Sequence, residues 1–128
     1  MIGSESPQPS TPRVLVVDDV ADNRDLLQAL LEGEGYVVET AAEGYTAIAK
    51  IEQHSPNLIL LDLMMPDLDG YEVARWIAQN HRAIPILFVT GYPDLLNLNG
   101  YMDLAVDYIL KPIDFEELLS KTRSLISK

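Results

Sequence analysis

The chain has 128 residues, 48% of them hydrophobic, which supports one domain with one core, and no apolar run approaches the ~20 residues of a membrane span. With 9 basic and 20 acidic residues the net charge is −11, which repels nucleic-acid phosphates and anionic lipid and argues against direct binding of either. The absence of cysteine excludes disulfides, thiol chemistry and zinc-thiolate sites, and with no targeting signal we expect a cytoplasmic protein.

Residues 1–12 are rich in proline and serine and carry too little apolar surface to offset the entropy of ordering. This composition predicts a flexible N-terminal tail, followed by a single folded domain over residues 13–128.

The first element of that domain is a buried strand. Val14 to Val17 form an apolar, β-branched run that stops at Asp18-Asp19, which predicts a strand, β1, buried on both faces. From Asp22, interpreted as an N-cap, leucines at helical spacing predict a helix, α1, which Gly33 and Gly35 end.

Further strands and helices alternate along the rest of the chain. The pattern predicts β2 over 36–40, α2 over 44–53, β3 over 57–62, α3 over 71–80, β4 over 85–90, β5 over 106–110 and α5 over 114–126. Asp69 is interpreted as a turn former or helix cap before α3, and Asp114 with Glu117 as a capping box for α5. The helix expected between β4 and β5, α4, is interrupted by Asn97 to Gly100.

Strands alternating with helices at short spacing indicate βαβ units and a parallel sheet covered on both faces. We therefore predict an α/β fold: a single doubly wound, flavodoxin-like (βα)5 domain whose five strands have the order 2-1-3-4-5. This order places β1 beside β3 at the topological switch point, where ligands bind outside the carboxyl ends of the strands.

Polar residues follow four of the predicted strands at this edge. Asp18 and Asp19 follow β1, Asp62 ends β3, Thr90 ends β4, and Lys111 follows β5. Three neighbouring carboxylates would repel one another unless they shared a divalent cation, and all-oxygen ligation favours magnesium or manganese. A hydroxyl and an ammonium group could then bind phosphoryl oxygens, and a carboxylate can form an acyl phosphate. Asp62 is the central candidate for that nucleophile.

From about Arg13 onward the chain resembles a receiver domain of the two-component response regulators. The resemblance rests on four motifs at strand ends: Asp18-Asp19, the loop Asp62-Leu63-Met64-Met65-Pro66 with Asp69-Gly70 behind it, Thr90-Gly91, and Lys111-Pro112. It implies that a histidine kinase or a histidine phosphotransfer protein donates a phosphoryl group to Asp62.

The resemblance also implies a cofactor, Mg²⁺, for which Mn²⁺ could substitute. Its ligands would be Asp19, Asp62 and the backbone carbonyl of Met64, with Asp18 acting mainly through water. The chain would then be a phosphoacceptor with intrinsic phosphoryl-transfer and autodephosphorylation chemistry only, rather than an enzyme.

Signal output is implied in the same way. Thr90 and Lys111 would contact the phosphoryl group, Thr90 and Tyr108 would act as switch residues, and the Lys111-Pro112 bond would be cis. The surface formed by α4, β5 and α5 would control a downstream output protein. The same surface could also form a homodimer. Pro93 constrains the loop after β4, so the standard movement of this loop need not carry over.

The same residues also admit other interpretations. An aspartate-nucleophile phosphohydrolase on a similar fold would require an acid two residues after its nucleophile, where Met64 stands. A flavin or nucleotide carrier would require a small-residue phosphate loop after β1, where Asp18-Asp19 would repel phosphate. Tyr108 is equally compatible with a core aromatic, and we expect His54 and His81 to be exposed and uninvolved.

Overall fold

The structure is a computed structural model that describes residues 11–63, 65, 69–81, 83–97, 101–105 and 107–127. The described elements are β1 (Arg13–Val17), α1 (Ala21–Gly33), β2 (Val37–Ala41), α2 (Gly44–Gln53), β3 (Leu58–Asp62), α3 (Gly70–Asn80), β4 (Ile86–Thr90), a 3-10 helix (Pro93–Asn97), α4 (Tyr101–Leu104), β5 (Asp107–Leu110) and α5 (Phe115–Ile126). None of these helices has the length and apolar character that crossing a bilayer requires. Of the predicted tail, only Thr11 and Pro12 lie within the described residues, so its flexibility stays a prediction.

The described strands form one parallel sheet in the order β2-β1-β3-β4-β5, as predicted. In its register Val17 lies opposite Leu61, and Thr90 lies opposite Leu110. β1, β3 and β4 are almost entirely buried, which explains why their sequences are nearly continuous apolar runs. The sheet therefore brings the ends of β1, β3, β4 and β5 to one edge.

Successive strand residues point to opposite faces of the sheet, and each face carries its own core. On one face α2 and α3 pack against residues such as Leu61 and Phe88. On the other face α1 and α5 pack against residues such as Leu60 and Leu87. The doubly wound architecture is thus confirmed, with helices covering both faces.

The start of α1 differs from its prediction. The helix begins at Ala21 with Val20 in the N-cap position, and Asp22 lies in its first turn, so the assignment of Asp22 as the N-cap is wrong. The reason lies upstream, because the Asp18 carboxylate accepts a hydrogen bond from the Val20 backbone N–H at 2.9 Å and turns the chain earlier.

The predicted end of α1 is confirmed. The helix stops at Gly33, and Gly35 adopts a positive φ of 96°. Its N–H donates to the Glu32 carbonyl while the Tyr36 N–H donates to the Leu31 carbonyl, which is the hydrogen-bond pair of a Schellman motif. Because this motif uses Tyr36, β2 begins one residue later than predicted.

Two predicted helix caps are present. Asp69 Oδ1 accepts a hydrogen bond from the Glu72 N–H at 2.9 Å and caps α3. Asp114 Oδ1 accepts from the N–H groups of Glu116 and Glu117 and caps α5. The Glu117 side chain pairs with Lys121 at 3.1 Å instead of completing a capping box.

The prediction for His81 is wrong. His81 ends α3 half-buried, with its ring centroid 5.1 Å from that of Trp76 and its Nε2 3.6 Å from the Glu52 carboxylate. His54, by contrast, is exposed as predicted.

The segment between β4 and β5 is not one regular helix in the part that the structure describes. It contains a 3-10 helix that starts at Pro93 and a four-residue α4 that starts at Tyr101. Proline is common at the first position of a helix, where Pro93 stands. The predicted interruption, Asn97 to Gly100, runs from the last residue of the 3-10 helix to the residue before α4. Residues 98–100 lie outside the described residues.

The N-terminus of α3 packs directly on the end of β3. A Cβ atom added to Gly70 would lie 2.5 Å from the Asp62 carbonyl oxygen and 2.7 Å from the Leu63 Cα atom. The Gly70 N–H also donates to the Leu63 carbonyl at 3.1 Å. Because both close atoms belong to the backbone, Gly70 is required for this approach, which fixes where Asp62 leaves the sheet.

This contact predicts that Gly70→Ala destabilises the fold by about 1–3 kcal/mol, because the backbone around Asp62 must shift to admit the methyl group. Gly33→Ala is the matched control: a Cβ there meets nothing within 4 Å, and the helical position should gain up to about 1 kcal/mol. Urea denaturation of the two variants would measure both values. A Gly70→Ala protein as stable as the parent would contradict this account of the packing.

Candidate functional site

Four strand ends meet at the carboxyl edge of the sheet. Asp18 follows β1 directly, and Asp62 is the last residue of β3, the neighbouring strand. Thr90 is the last residue of β4, and the Lys111 N–H donates to the Thr90 carbonyl at 2.8 Å, which fixes the end of β5 against β4. The topology therefore places three chemically different polar groups, carboxylate, hydroxyl and ammonium, at one edge of the sheet.

An acidic cluster lies at the centre of this edge. Asp18, Asp19 and Asp62 each present a carboxylate oxygen within 4.8 Å of the other two. Asp18 and Asp62 are 2% and 6% exposed, whereas Asp19 is exposed to solvent. Buried carboxylates are rare in proteins unless a cation or hydrogen bonds compensate them, so this burial requires a partner.

Lys111 supplies that partner. Its Nζ atom lies 3.3 Å from Asp18 Oδ2 and 3.3 Å from Asp62 Oδ2. Burial lowers the pKa of Lys111, but attraction to Asp62 and to Asp18, with hydrogen bonds to both, outweighs it and raises the pKa above its ordinary value. The ammonium group therefore stays charged at neutral pH and bridges two of the three acids.

The charge and donor set of the cluster fit a divalent cation. Three carboxylates and one ammonium group leave a formal charge of two negative units, which one divalent cation would neutralise. The carboxylate donors are hard oxygen ligands, which suit magnesium or manganese better than zinc or copper. Met64, predicted to add a carbonyl oxygen, lies outside the described residues.

Asp18 is held by more than Lys111. Its Oδ1 accepts from the Val20 N–H, and its Oδ2 lies 3.4 Å from the amide nitrogen of Asn23. Its backbone carbonyl accepts a hydrogen bond from the Arg24 guanidinium at 2.8 Å. The sequence pattern did not single out Asn23 and Arg24. They follow Asp18 by five and six residues, so a polar pair just inside α1 is the signal that could have suggested a contact back to the loop.

Thr90 is fully buried at the end of β4. Its hydroxyl oxygen accepts a hydrogen bond from the Tyr92 N–H at 3.0 Å. This bond uses a lone pair of the oxygen, so the hydroxyl hydrogen can still donate to another acceptor. Thr90 therefore links the edge of the sheet to the first residues of the segment that follows β4.

Tyr108 has an outward-facing position on β5. It is 38% exposed and shares its face of the strand with Leu110, which is 40% exposed. The Lys121 Nζ atom lies 5.5 Å from the Tyr108 ring centroid and donates to the Tyr108 carbonyl at 2.8 Å. Lys121 also pairs with Asp107 at 3.2 Å. The interpretation of Tyr108 as a core aromatic is therefore not supported by its position.

The backbone between Lys111 and α5 adopts the expected conformation, since the Lys111-Pro112 peptide bond is cis. Of the predicted site residues, Asp18, Asp19, Asp62 and Lys111 lie together, and Thr90 lies on the next strand end. Tyr108 lies apart from this cluster on the exposed side of β5.

The family model described as the response regulator receiver domain matches residues 14–123. The chain is 37% identical over 117 residues to the transcriptional regulatory protein TrcR of Mycobacterium tuberculosis, covering 91% of the chain and 46% of TrcR. It is 42% identical over 118 residues to the response regulator PleD of Caulobacter vibrioides, covering 88% of the chain and 26% of PleD. The chain thus spans about half or less of the length of such relatives.

Solved structures extend the likeness to three dimensions. The response regulator TrrA of Thermotoga maritima, crystallised with magnesium and a beryllium fluoride, aligns with a TM-score of 0.85 at 34% identity, covering 90% of this chain and 99% of TrrA. A CheY-like receiver domain protein of Methanospirillum hungatei aligns with a TM-score of 0.87 at 35% identity, covering 92% of this chain and 95% of that one.

Proposed function

Because the chain belongs to the response-regulator receiver family, we propose that Asp62 accepts a phosphoryl group from a phosphohistidine. The donor would be a histidine kinase or a histidine phosphotransfer protein. One observation carries the assignment to Asp62: its carboxylate ends β3, almost buried, 3.3 Å from Lys111 Nζ and within the acidic cluster.

In the proposed reaction an oxygen of the Asp62 carboxylate attacks the phosphorus atom. The new O–P bond makes an acyl phosphate, and the P–N bond to the imidazole breaks with its electron pair going to the nitrogen, which takes a proton from solvent. Lys111 would donate a charge-assisted hydrogen bond to a phosphoryl oxygen, and the Thr90 hydroxyl would donate another. These contacts would hold the transferring group in place.

We propose that Mg²⁺, or Mn²⁺ in its place, is held by Asp18, Asp19 and Asp62, with the Met64 carbonyl as a further ligand. When bound it would neutralise the carboxylates and the phosphoryl oxygens that approach them. The net charge of two negative units on the cluster and its hard oxygen donors support this choice. The magnesium in the TrrA structure is consistent with it.

Signalling rather than turnover is the proposed role of this chemistry. Met64 stands two residues after Asp62, where a phosphohydrolase of this type would need a general acid. The comparisons give no support to that alternative. The phosphoryl group would therefore be gained and lost only through intrinsic transfer and autodephosphorylation.

We propose that Thr90 and Tyr108 transmit the phosphorylated state to the surface of α4, β5 and α5. A phosphoryl group on Asp62 would add close to two negative charges to the site. Thr90, whose hydroxyl would bind that group, also accepts a hydrogen bond from the Tyr92 backbone N–H. Tyr108 would then leave Lys121 and rotate inward, which would change the surface offered to an output protein or to a second copy of the chain. The net charge of −11 argues against direct nucleic-acid binding by this domain.

We expect acetyl phosphate with magnesium to add a single phosphoryl mass to the chain, and Asp62→Asn to abolish the addition. Intact-mass measurement followed by peptide mapping would test this. Asp69→Asn is the matched control, because Asp69 is an exposed acid that caps α3, and it should retain the modification. Modification that maps to another residue, or that proceeds equally well in chelator, would refute the assignment.

Magnesium should stabilise the fold by mass action, by about 2.7 kcal/mol when its concentration is 100 times the dissociation constant. Asp19→Asn should stabilise the metal-free protein by relieving repulsion within the cluster, and should weaken the response to magnesium. Asp25→Asn removes the same charge from an exposed position on α1 and serves as the control. A thermal melt of the parent chain that ignores millimolar magnesium would count against the shared-cation site.

Switching should order the segment after β4, because the described parts of this segment are a 3-10 helix and a single turn of α4. Amide exchange of residues 91–105 should slow when magnesium and beryllofluoride are added, while exchange of α2 stays unchanged. Unchanged exchange in 91–105, with Thr90→Ala leaving partner binding intact, would mean that output takes another route.

A further inference from the structure

Asn23 and Arg24 form a bracket around Asp18 that the phosphoryl-transfer chemistry does not use directly. Arg24 donates to the Asp18 carbonyl at 2.8 Å, and the Asn23 amide lies 3.4 Å from Asp18 Oδ2. Both side chains are half-buried on the first turns of α1. They are therefore placed to control the orientation of one acid of the cluster.

Asp18 needs such control because it lies in the three-residue loop between β1 and α1, where no repeating backbone hydrogen bonds fix it. The Asp18 N–H is held by the Ala41 carbonyl at 3.1 Å. The opposite side of the residue, its carbonyl, faces α1 and is paired with Arg24. Without that pairing, the Asp18 carbonyl would lose the hydrogen bond that orients its peptide plane.

The two contacts act on different parts of Asp18. Arg24 fixes the orientation of the Asp18 peptide plane by donating to its carbonyl. Asn23 reaches the carboxylate oxygen that Lys111 also contacts, and so limits rotation of the carboxylate. The Val20 N–H holds the other oxygen at 2.9 Å.

We propose that Asn23 and Arg24 are positioning residues for the cation of this site, and that they preset the Asp18 carboxylate for magnesium. The inference rests on the proposed function, because it assumes that the acidic cluster holds that ion. Groups that orient metal ligands from outside typically contribute 10–100-fold to metal affinity. The contribution of Asn23 and Arg24 should appear as affinity for the ion in the absence of any phosphodonor.

The test is calorimetric titration of magnesium into the full chain after chelator treatment. Asn23→Ala and Arg24→Met should each weaken magnesium binding by about 10–100-fold. Arg24→Lys should recover part of the loss, since a lysine can still donate one hydrogen bond but lacks the planar fork of arginine. Gln28→Ala, in the same helix, and Arg75→Met, on α3, are the matched controls and should bind magnesium as the parent does.

Urea denaturation of the same variants in chelator distinguishes a positioning role from a purely structural one. If Asn23 and Arg24 position the ligand, their substitution lowers the magnesium affinity while the urea midpoint in chelator stays close to that of the parent. Equal magnesium affinity in parent and variants would overturn the proposal, as would a loss of stability in chelator as large as the loss in magnesium. Asn23→Ala removes a long contact at a half-buried position, so it keeps the test decisive if Arg24→Met fails to fold.

The magnesium titration and the phosphorylation of Asp62 test the positioning role and the proposed function separately. If the variants bind magnesium more weakly than the parent but Asp62 takes no phosphoryl group from acetyl phosphate, the proposed function fails and the positioning role stands. If Asp62 is phosphorylated but the variants bind magnesium as the parent does, only the positioning role fails.

Discussion

One ammonium group makes the whole site possible. Lys111 Nζ lies 3.3 Å from each of two carboxylates, those of Asp18 and Asp62, which are almost completely buried. Leaving a buried charge without its partner typically costs a protein about 3–5 kcal/mol. The strand order meets this constraint, because only the carboxyl edge of a parallel sheet lets the ends of β1, β3 and β5 converge. One lysine cannot neutralise three acids, and the two remaining negative charges are those that the proposed cation would balance.

Much of this arrangement could be predicted because the sequence changes abruptly from aliphatic residues to aspartate where two of the strands end. The aliphatic run of β3 ends in Asp62, and that of β1 ends in Asp18. A strand buried on both faces has a sequence that few other elements share, and the right-handed crossover rule then limits the order of the strands. The bounds of α2 matched for a similar reason, since Gly44 opens a clear helical pattern before Pro56 and β3.

The remaining details depend on contacts between residues that no periodicity connects. Arg24 and Asn23 reach back to Asp18 across the short loop before α1, in which the Asp18 carboxylate accepts from the Val20 N–H. His81 was mispredicted for the same kind of reason: its partners come from the same helix and from α2, and only the packed structure brings them together. Local patterns identify elements, whereas loop contacts emerge only after the elements have packed.

The pairing of Asp107 with Lys121 has a consequence for the outer margin of the sheet. β5 is a border strand, and both backbone groups of Tyr108 are bonded to side chains: its N–H donates to Asp107 Oδ1 at 2.8 Å, and its carbonyl accepts from Lys121 at 2.8 Å. An ion pair thus covers the place where a foreign strand could add to the sheet and start aggregation. A protein that docks on β5 would therefore contact the exposed side chains of the strand, because the Tyr108 backbone groups are not available to pair with another strand.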